Sequence, residues 1–228
     1  MTALIEHIEL TTGLNPKGTV IWMHGLGADC WDFVPLIKEL GLSADLSLRF
    51  IFPQAPSRPI TINNGYVMPG WYDISMNELE RMPDETGIRE SQRSINALID
   101  REISRGIQSS TIVLAGFSQG GVIALQTGLR QPHELAGILA LSTYLALEDS
   151  LGSEKTAVNT HIPILMTHGT QDPIIPLALA RTSRDRLKAQ GYQVEFREYP
   201  MQHQICLEEI QAISLWLQKC YRSPILLA

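Results

Sequence analysis

Thr111-Ile-Val-Leu-Ala115 runs directly into Gly116-Phe-Ser-Gln-Gly120, and a helical pattern follows from Gly121 to Arg130. Gly-x-Ser-x-Gly alone is a weak pattern, but here it lies at a strand-to-helix junction. That is the context of a nucleophile elbow, in which a sharp turn lifts a serine hydroxyl out at the carboxyl end of a strand. The turn strains the serine backbone, and the flanking glycines let neighbouring elements approach it closely. The alternative is a plain strand–turn–helix joint whose serine caps the helix.

Outward from the elbow, short β-rich runs alternate with helical patterns. Strands are expected at 19–24, 48–52, 111–115, 136–141, 163–167 and 193–199, with an earlier edge strand at 4–9. The runs at 111 and 163 are nearly all apolar, as strands covered on both faces should be. Helices are expected near 31–41, 88–105, 118–130, 178–190 and 204–219. In the last, Ile205, Ile210, Ile213 and Leu217 recur at helical spacing between Glu208, Glu209 and Gln211. Such alternation predicts an α/β fold, a mostly parallel sheet wrapped by helices through right-handed crossovers. The exception is 53–76, which holds four prolines and two glycines and shows no sustained period. Its Tyr66, Val67, Met68, Trp71, Tyr72, Ile74 and Met76 are too apolar for disorder, so an ordered excursion at the rim of a site is expected.

The bulk numbers exclude several classes. A chain of 228 residues, 44% apolar, can bury a large core, and no linker, repeat or low-complexity tract divides it, so one domain over 1–228 is expected. A net charge of −6 without a Lys/Arg cluster argues against nucleic acid as a partner. Cys30, Cys206 and Cys220 are odd in number and unpaired in spacing, which favours reduced thiols. The start, Met-Thr-Ala-Leu-Ile-Glu-His, lacks the marks of a signal peptide, and no apolar stretch approaches the roughly 20 residues of a membrane span. A cytoplasmic protein is expected. No His-x-x-x-His or Cys-x-x-Cys spacing calls for a metal, and the chemistry needs no cofactor.

A serine hydroxyl needs a base, and the base needs an orienting carboxylate. After an elbow of this type the acid and then the histidine follow in chain order, each on a loop at the same sheet edge. Asp172 fits the first slot, just past the run ending at Thr167, and Pro173 holds its backbone extended. Its rivals fit less well: Asp149 sits in a polar connection and Asp185 in a helical pattern. His203 fits the second slot, between 193–199 and the final helix. His168, so near the acid, reads as a support, while His7, His133 and His161 read as surface residues. The oxyanion of acyl transfer calls for backbone N–H donors, each worth on the order of 3–4 kcal/mol of barrier. The candidates are Gln119, at a helix amino terminus, and Leu26, in the turn His24-Gly-Leu-Gly-Ala28. The same turn, with Asp45 beyond it, mimics a dinucleotide fingerprint. The third glycine is missing, and Asp45 precedes the second strand instead of ending it.

Together, Gly116-Phe-Ser-Gln-Gly-Gly121, His24-Gly-Leu-Gly-Ala28, Pro69-Gly-Trp-Tyr-Asp73, Gly169-Thr-Gln-Asp-Pro173 and Tyr199-Pro-Met-Gln-His203 resemble the phospholipase/carboxylesterase family. That group includes bacterial carboxylesterases and acyl-protein thioesterases. The resemblance runs from about residue 4 to about residue 219. It implies an α/β-hydrolase fold, a triad of Ser118, Asp172 and His203, oxyanion donors at Leu26 and Gln119, and Trp71 near the acyl site. Met68 and Tyr72 in the same apolar excursion are the other candidate substrate contacts. One departure is visible: the family usually has glycine where Gln202 precedes the histidine. A left-handed backbone there would cost roughly 1–2 kcal/mol.

The expected activity is hydrolysis of small or acyl-chain esters or thioesters through an acyl-enzyme. The triad does not separate this from a lysophospholipase, an acyl-protein thioesterase or an acyltransferase. A non-catalytic ligand-binding homologue is favoured only if a triad member were missing. The substrate is a small or lipid-like ester or an acylated protein, and the oligomeric state is left open, a homodimer included.

Overall fold

The computed structural model describes residues 4–43, 45–77 and 80–222, with 76, 77, 80, 81, 83 and 222 as backbone alone. The first three residues of the amino-terminal reading, and both ends of the expected 1–228 domain, lie outside the described residues.

Seven strands form the central sheet: β1 (His7–Thr11), β2 (Gly18–Met23), β3 (Leu48–Pro53), β8 (Ile112–Phe117), β9 (Gly137–Leu141), β10 (Ile164–Gly169) and β11 (Val194–Tyr199). The order is β1-β3-β2-β8-β9-β10-β11. Only β1 runs antiparallel, pairing with β3; the other ladders are parallel. Period-two alternation sorts the side chains. Ile112 and Leu114 join the core on one face while Val113 and Ala115 join the core on the other, and along β2 Ile21 and Met23 oppose Val20 and Trp22. Five of the six β8 residues are buried, which explains why no polar alternation marks this strand in the sequence.

On one face lie α2 (Glu85–Ser104), α3 (Gln119–Arg130), α4 (Glu148–Glu154) and α5 (Leu177–Ala189), contributing Ile95, Val122, Leu151 and Leu187 to the core. On the other lie α1 (Leu36–Glu39) and α6 (Leu207–Arg222), contributing Ile37, Ile213, Trp216 and Leu217. The expected helix at 31–41 is confined to α1, because Pro35 lacks a donor and disfavours helix in the residue before it. The edge strand starts at His7, later than expected. Helix α4, in Glu-Asp-Ser-Leu-Gly-Ser-Glu, escaped the sequence reading because Leu151 is its only buried residue and leaves no period to detect. None of the described helices is long and apolar enough to cross a membrane.

The irregular excursion is ordered as two hairpins: β4 (Ser57–Ile60) with β5 (Tyr66–Pro69), and β6 (Ile74–Asn77) with β7 (Glu80–Pro83). Asp73 ties the segment together, accepting hydrogen bonds from the Thr61 backbone N–H at 2.7 Å and the Thr61 hydroxyl at 2.6 Å.

One buried ion pair anchors the sheet edge. Glu102 of α2 has no exposed side-chain surface and is held by Arg49 Nη1 at 2.5 Å, Arg105 Nη1 at 3.0 Å and the Thr19 hydroxyl at 2.7 Å. Removing one partner of such a pair leaves a carboxylate short of compensation in a dry site. Arg49→Met is expected to lower unfolding stability by about 3 kcal/mol, read from the denaturant midpoint.

Candidate active site

Because β2, β8, β10 and β11 are mutually parallel, the loops that follow them emerge at one edge of the sheet. Those loops carry Leu26, Ser118, Asp172 and His203. Ser118, between β8 and α3, sits at φ 54° and ψ −119° and makes no side-chain capping bond, so the simple helix-cap alternative does not describe it. The strained turn is held from three sides. The Ser118 N–H donates to Leu141 O at 2.8 Å, and the Ser118 carbonyl accepts the Thr143 hydroxyl at 2.7 Å and the Gly121 N–H at 3.0 Å. Glycine at 120 is a steric necessity, since a Cβ there would lie 2.3 Å from the Met23 carbonyl oxygen.

Asp172 and His203 meet across two loops. His203 Nδ1 lies 2.7 Å from Asp172 Oδ2, while Asp172 Oδ1 accepts the Ile174 and Ile175 N–H groups at 2.8 Å each. The carboxylate is fixed at both oxygens, and one of them faces the imidazole. The His203 ring also packs on Phe117, with centroids 4.8 Å apart. Gln202 is not among the residues with positive φ, so the departure from glycine carries no left-handed strain. Room for its path comes from across the ladder, where a Cβ on Gly169 would lie 2.4 Å from the Met201 and Gln202 carbonyl oxygens.

The other histidines take different places. His168 is buried, its Nε2 2.8 Å from Ile175 O and 3.5 Å from Asp172 Oδ2. Burial lowers its pKa, and the neutral ring supports the Asp172 loop. His24 is buried too, and desolvation lowers its pKa. Its Nε2 accepts the Ala55 N–H at 3.1 Å, which leaves the proton on Nδ1 to donate to Gly25 O at 2.7 Å. His24 thereby braces the turn that carries Leu26, and the Gly27 N–H pins that turn to Pro69 O at 2.8 Å. The sequence reading placed His24 beside the site without finding this bracing role.

Ser118, His203, Leu26 and Gln119 all line a pocket of about 410 Å³. Its apolar wall includes Ile62, Tyr72, Ile74, Tyr144 and Ile175. Of the three expected substrate contacts, the structure brings Tyr72 to this wall but not Trp71 or Met68. Trp71 is fully buried behind it: a buried indole N–H needs an acceptor, and Nε1 finds His24 O at 2.9 Å. Met68 packs beside Gly27 and accepts from Asn63 Nδ2 at 3.5 Å. The Gln119 side chain has a task that its motif position did not reveal. Its side chain accepts the Trp71 N–H and donates to Tyr72 O, both at 2.7 Å, locking the excursion to the elbow. Ile174 and Ile175 were also missed; two isoleucines directly after an Asp-Pro pair were the available signal. A larger hollow of about 740 Å³ lies at the amino ends of β9, β10 and β11 and contains none of these candidates. Ligands of open α/β sheets bind at the carboxyl edge, which favours the smaller pocket.

Cys206 is half-buried beyond His203, and burial raises its pKa, which disfavours the thiolate a nucleophile needs. All three cysteines are free. Among the described residues, no group of three or more His, Cys, Asp or Glu is arranged to hold a metal ion.

Glu209, near the start of α6, is the most perturbed acid near the site. Burial pushes its pKa up to about 7 from the ordinary 4.5, against the opposing pull of hydrogen bonds from Thr167 and the Cys206 N–H. Between those values the unfolded chain has released a proton that the folded chain keeps, so this group's contribution to stability falls as pH rises from about 4.5 to 7. The total is ~3 kcal/mol. Glu209→Gln, which mimics the neutral acid, is expected to match the wild-type Tm near pH 5 and exceed it by several degrees at pH 8. Thermal unfolding at the two pH values checks this.

A sequence model of the phospholipase/carboxylesterase family matches residues 8–221. The chain is 44% identical over 208 residues to acyl-protein thioesterase 1 of Neurospora crassa, covering 87% of this chain and 85% of that protein. It is 36% identical over 230 residues to acyl-protein thioesterase 1 of Schizosaccharomyces pombe, covering 98% and 100%. The crystal structure of Arabidopsis thaliana SOBER1 matches with a TM-score of 0.85 at 30% identity, over 90% of this chain and 99% of that one. Zea mays acyl-protein thioesterase 2 matches with a TM-score of 0.84 at 25% identity, over 95% and 99%. The architecture is an α/β-hydrolase fold.

Proposed function

The chain belongs to the phospholipase/carboxylesterase family, and from that premise we propose that it hydrolyses carboxylic esters and thioesters through Ser118, His203 and Asp172. The observation that carries this reading is the 2.7 Å contact between His203 Nδ1 and Asp172 Oδ2, in the pocket where Ser118 stands on its strained elbow.

With its proton on Nδ1 and donated to Asp172, His203 presents a bare Nε2 toward the pocket. Nε2 takes the Ser118 proton as Oγ attacks the acyl carbonyl. The carbonyl oxygen becomes an oxyanion, held by the backbone N–H groups of Leu26 and Gln119. The first N–H groups of a helix lack intrahelical partners, which suits Gln119 to this role. The tetrahedral intermediate collapses, the bond to the leaving oxygen or sulfur breaks, and that atom takes the proton from His203. Water then gives a proton to His203 and attacks the acyl-enzyme; collapse releases the acid and returns the proton to Ser118. Asp172 holds the imidazole in the required tautomer and offsets its transient charge.

Tyr72, Ile62, Ile74 and Ile175 support an apolar acyl chain as the group bound. The names of the relatives support S-acylated protein as a substrate class, and the three free thiols support a reducing compartment. Hydrolysis of p-nitrophenyl esters from acetate to palmitate, beside an S-acylated peptide and with Ser118→Ala alongside, tests the reading. Serine-dependent turnover that rises with acyl length is expected. No serine-dependent turnover on any of these substrates would refute it.

A further inference from the structure

We propose that Glu209 is a positioning residue for this reaction, clamping the start of α6 to the end of β10 and so fixing where the His203 loop meets the Asp172 loop. The inference rests on the reading of His203 and Asp172 given above.

The two partners of that contact belong to different loops, and the question is what fixes their separation. The Asp172 loop leaves β10 after Gly169. The His203 loop leaves β11 at Tyr199 and ends at Cys206, where α6 begins. Its near end is anchored by the β10–β11 ladder, by Thr170 N–H to Tyr199 O at 2.8 Å and by Gln171 N–H to Met201 O at 3.1 Å. Its far end is anchored through Glu209. The Cys206 carbonyl accepts the Ile210 N–H at 3.0 Å, which makes Cys206 the cap of α6. Glu209 is the third residue of the helix, one turn on from that cap.

An acid in the first turn of a helix interacts favourably with the helix dipole and can stand in water. Glu209 instead has no exposed surface, and its Oε1 accepts the hydroxyl of Thr167, on β10 two residues before Gly169. Its Oε2 is buried without a hydrogen-bond partner among the described residues. An acid kept at such a site, where an apolar residue would avoid the desolvation cost, is explained by the bridge it makes. The bridge ends on the strand that launches Asp172 and begins in the first turn of α6, six residues from His203. Misplacing the imidazole would spoil proton transfer while leaving the apolar wall of the pocket in place.

The test compares kcat and KM for a p-nitrophenyl ester in the wild type, Ser118→Ala, Glu209→Leu, Glu209→Gln and Thr167→Val, each well below its own Tm. Glu209→Leu is expected to lose about 10- to 100-fold in kcat, with KM nearly unchanged. Glu209→Gln keeps the acceptor oxygen and should restore most of kcat. Thr167→Val, nearly isosteric, removes one end of the bridge and should lower kcat by about 3- to 10-fold, so the inference stays testable if Glu209→Leu does not fold. Wild-type kcat in Thr167→Val, and in Glu209→Leu if it folds, beside normal Ser118-dependent turnover, would overturn the inference alone. A wild type without Ser118-dependent turnover would overturn the hydrolase reading and this inference with it.

Discussion

Replacing Ser118 with alanine is expected to lower kcat by about four to six decades while leaving the unfolding transition nearly unchanged. The two halves of that result come from the same geometry. Alanine carries the same Cβ at φ 54°, so the backbone strain of the elbow is neither relieved nor increased. The bonds that hold the turn, to Leu141 O and from Thr143 and Gly121, involve the Ser118 backbone and not its hydroxyl. Only Oγ is lost. On the proposed mechanism, what remains is a pocket able to bind the acyl group and to offer oxyanion donors to a water molecule. Kinetics on the best ester, together with a thermal melt of the same preparation, separate loss of the nucleophile from loss of the fold.

The second large effect is expected at Asp172→Asn, about four decades in kcat. Asp172 Oδ1 accepts two backbone N–H groups, from Ile174 and Ile175, so that end of the side chain must stay an oxygen. The new amide is then forced to point its NH₂ at His203 Nδ1. An NH₂ cannot accept, so His203 must move its proton to Nε2 to relieve the clash. With Nε2 protonated, the ring no longer takes the proton from Ser118. The other rotamer only transfers the conflict to the two backbone donors. Raising the pH should not restore activity, because the defect is the tautomer and not the charge. Recovery of wild-type kcat at high pH would contradict this.

Much of the candidate site was legible in the sequence because its logic is topological. Apolar runs with strand character mark where a parallel sheet ends, and chemistry-bearing residues at those ends meet in space. Ser118, Asp172, His203, Leu26 and Gln119 were read as candidates in this way, and the structure places all of them at one sheet edge. What the sequence hid depends on side-chain contacts without a periodic signature. Trp71 looked like a substrate contact because it is aromatic and near the rim, yet its indole N–H is committed to His24 O. The bracing by His24, the side-chain bonds of Gln119 and the bridge made by Glu209 each join residues far apart in the chain. In the sequence Glu209 reads as one more charge on the polar face of an amphipathic helix. Its burial follows from how α6 docks on β10, which no local pattern reports. The hairpins of 57–83 stayed hidden for a related reason: proline in both strands of the first one breaks the alternation that would have announced it.

The central claim is that the acyl group passes through Ser118 Oγ. Mass spectrometry of the protein, acid-quenched during turnover of a slow ester or thioester and then digested, tests it most directly. The account predicts one added acyl mass on the peptide that contains Ser118, absent from Ser118→Ala. Acylation found instead at Cys206 or another residue, or full turnover by Ser118→Ala, would contradict it.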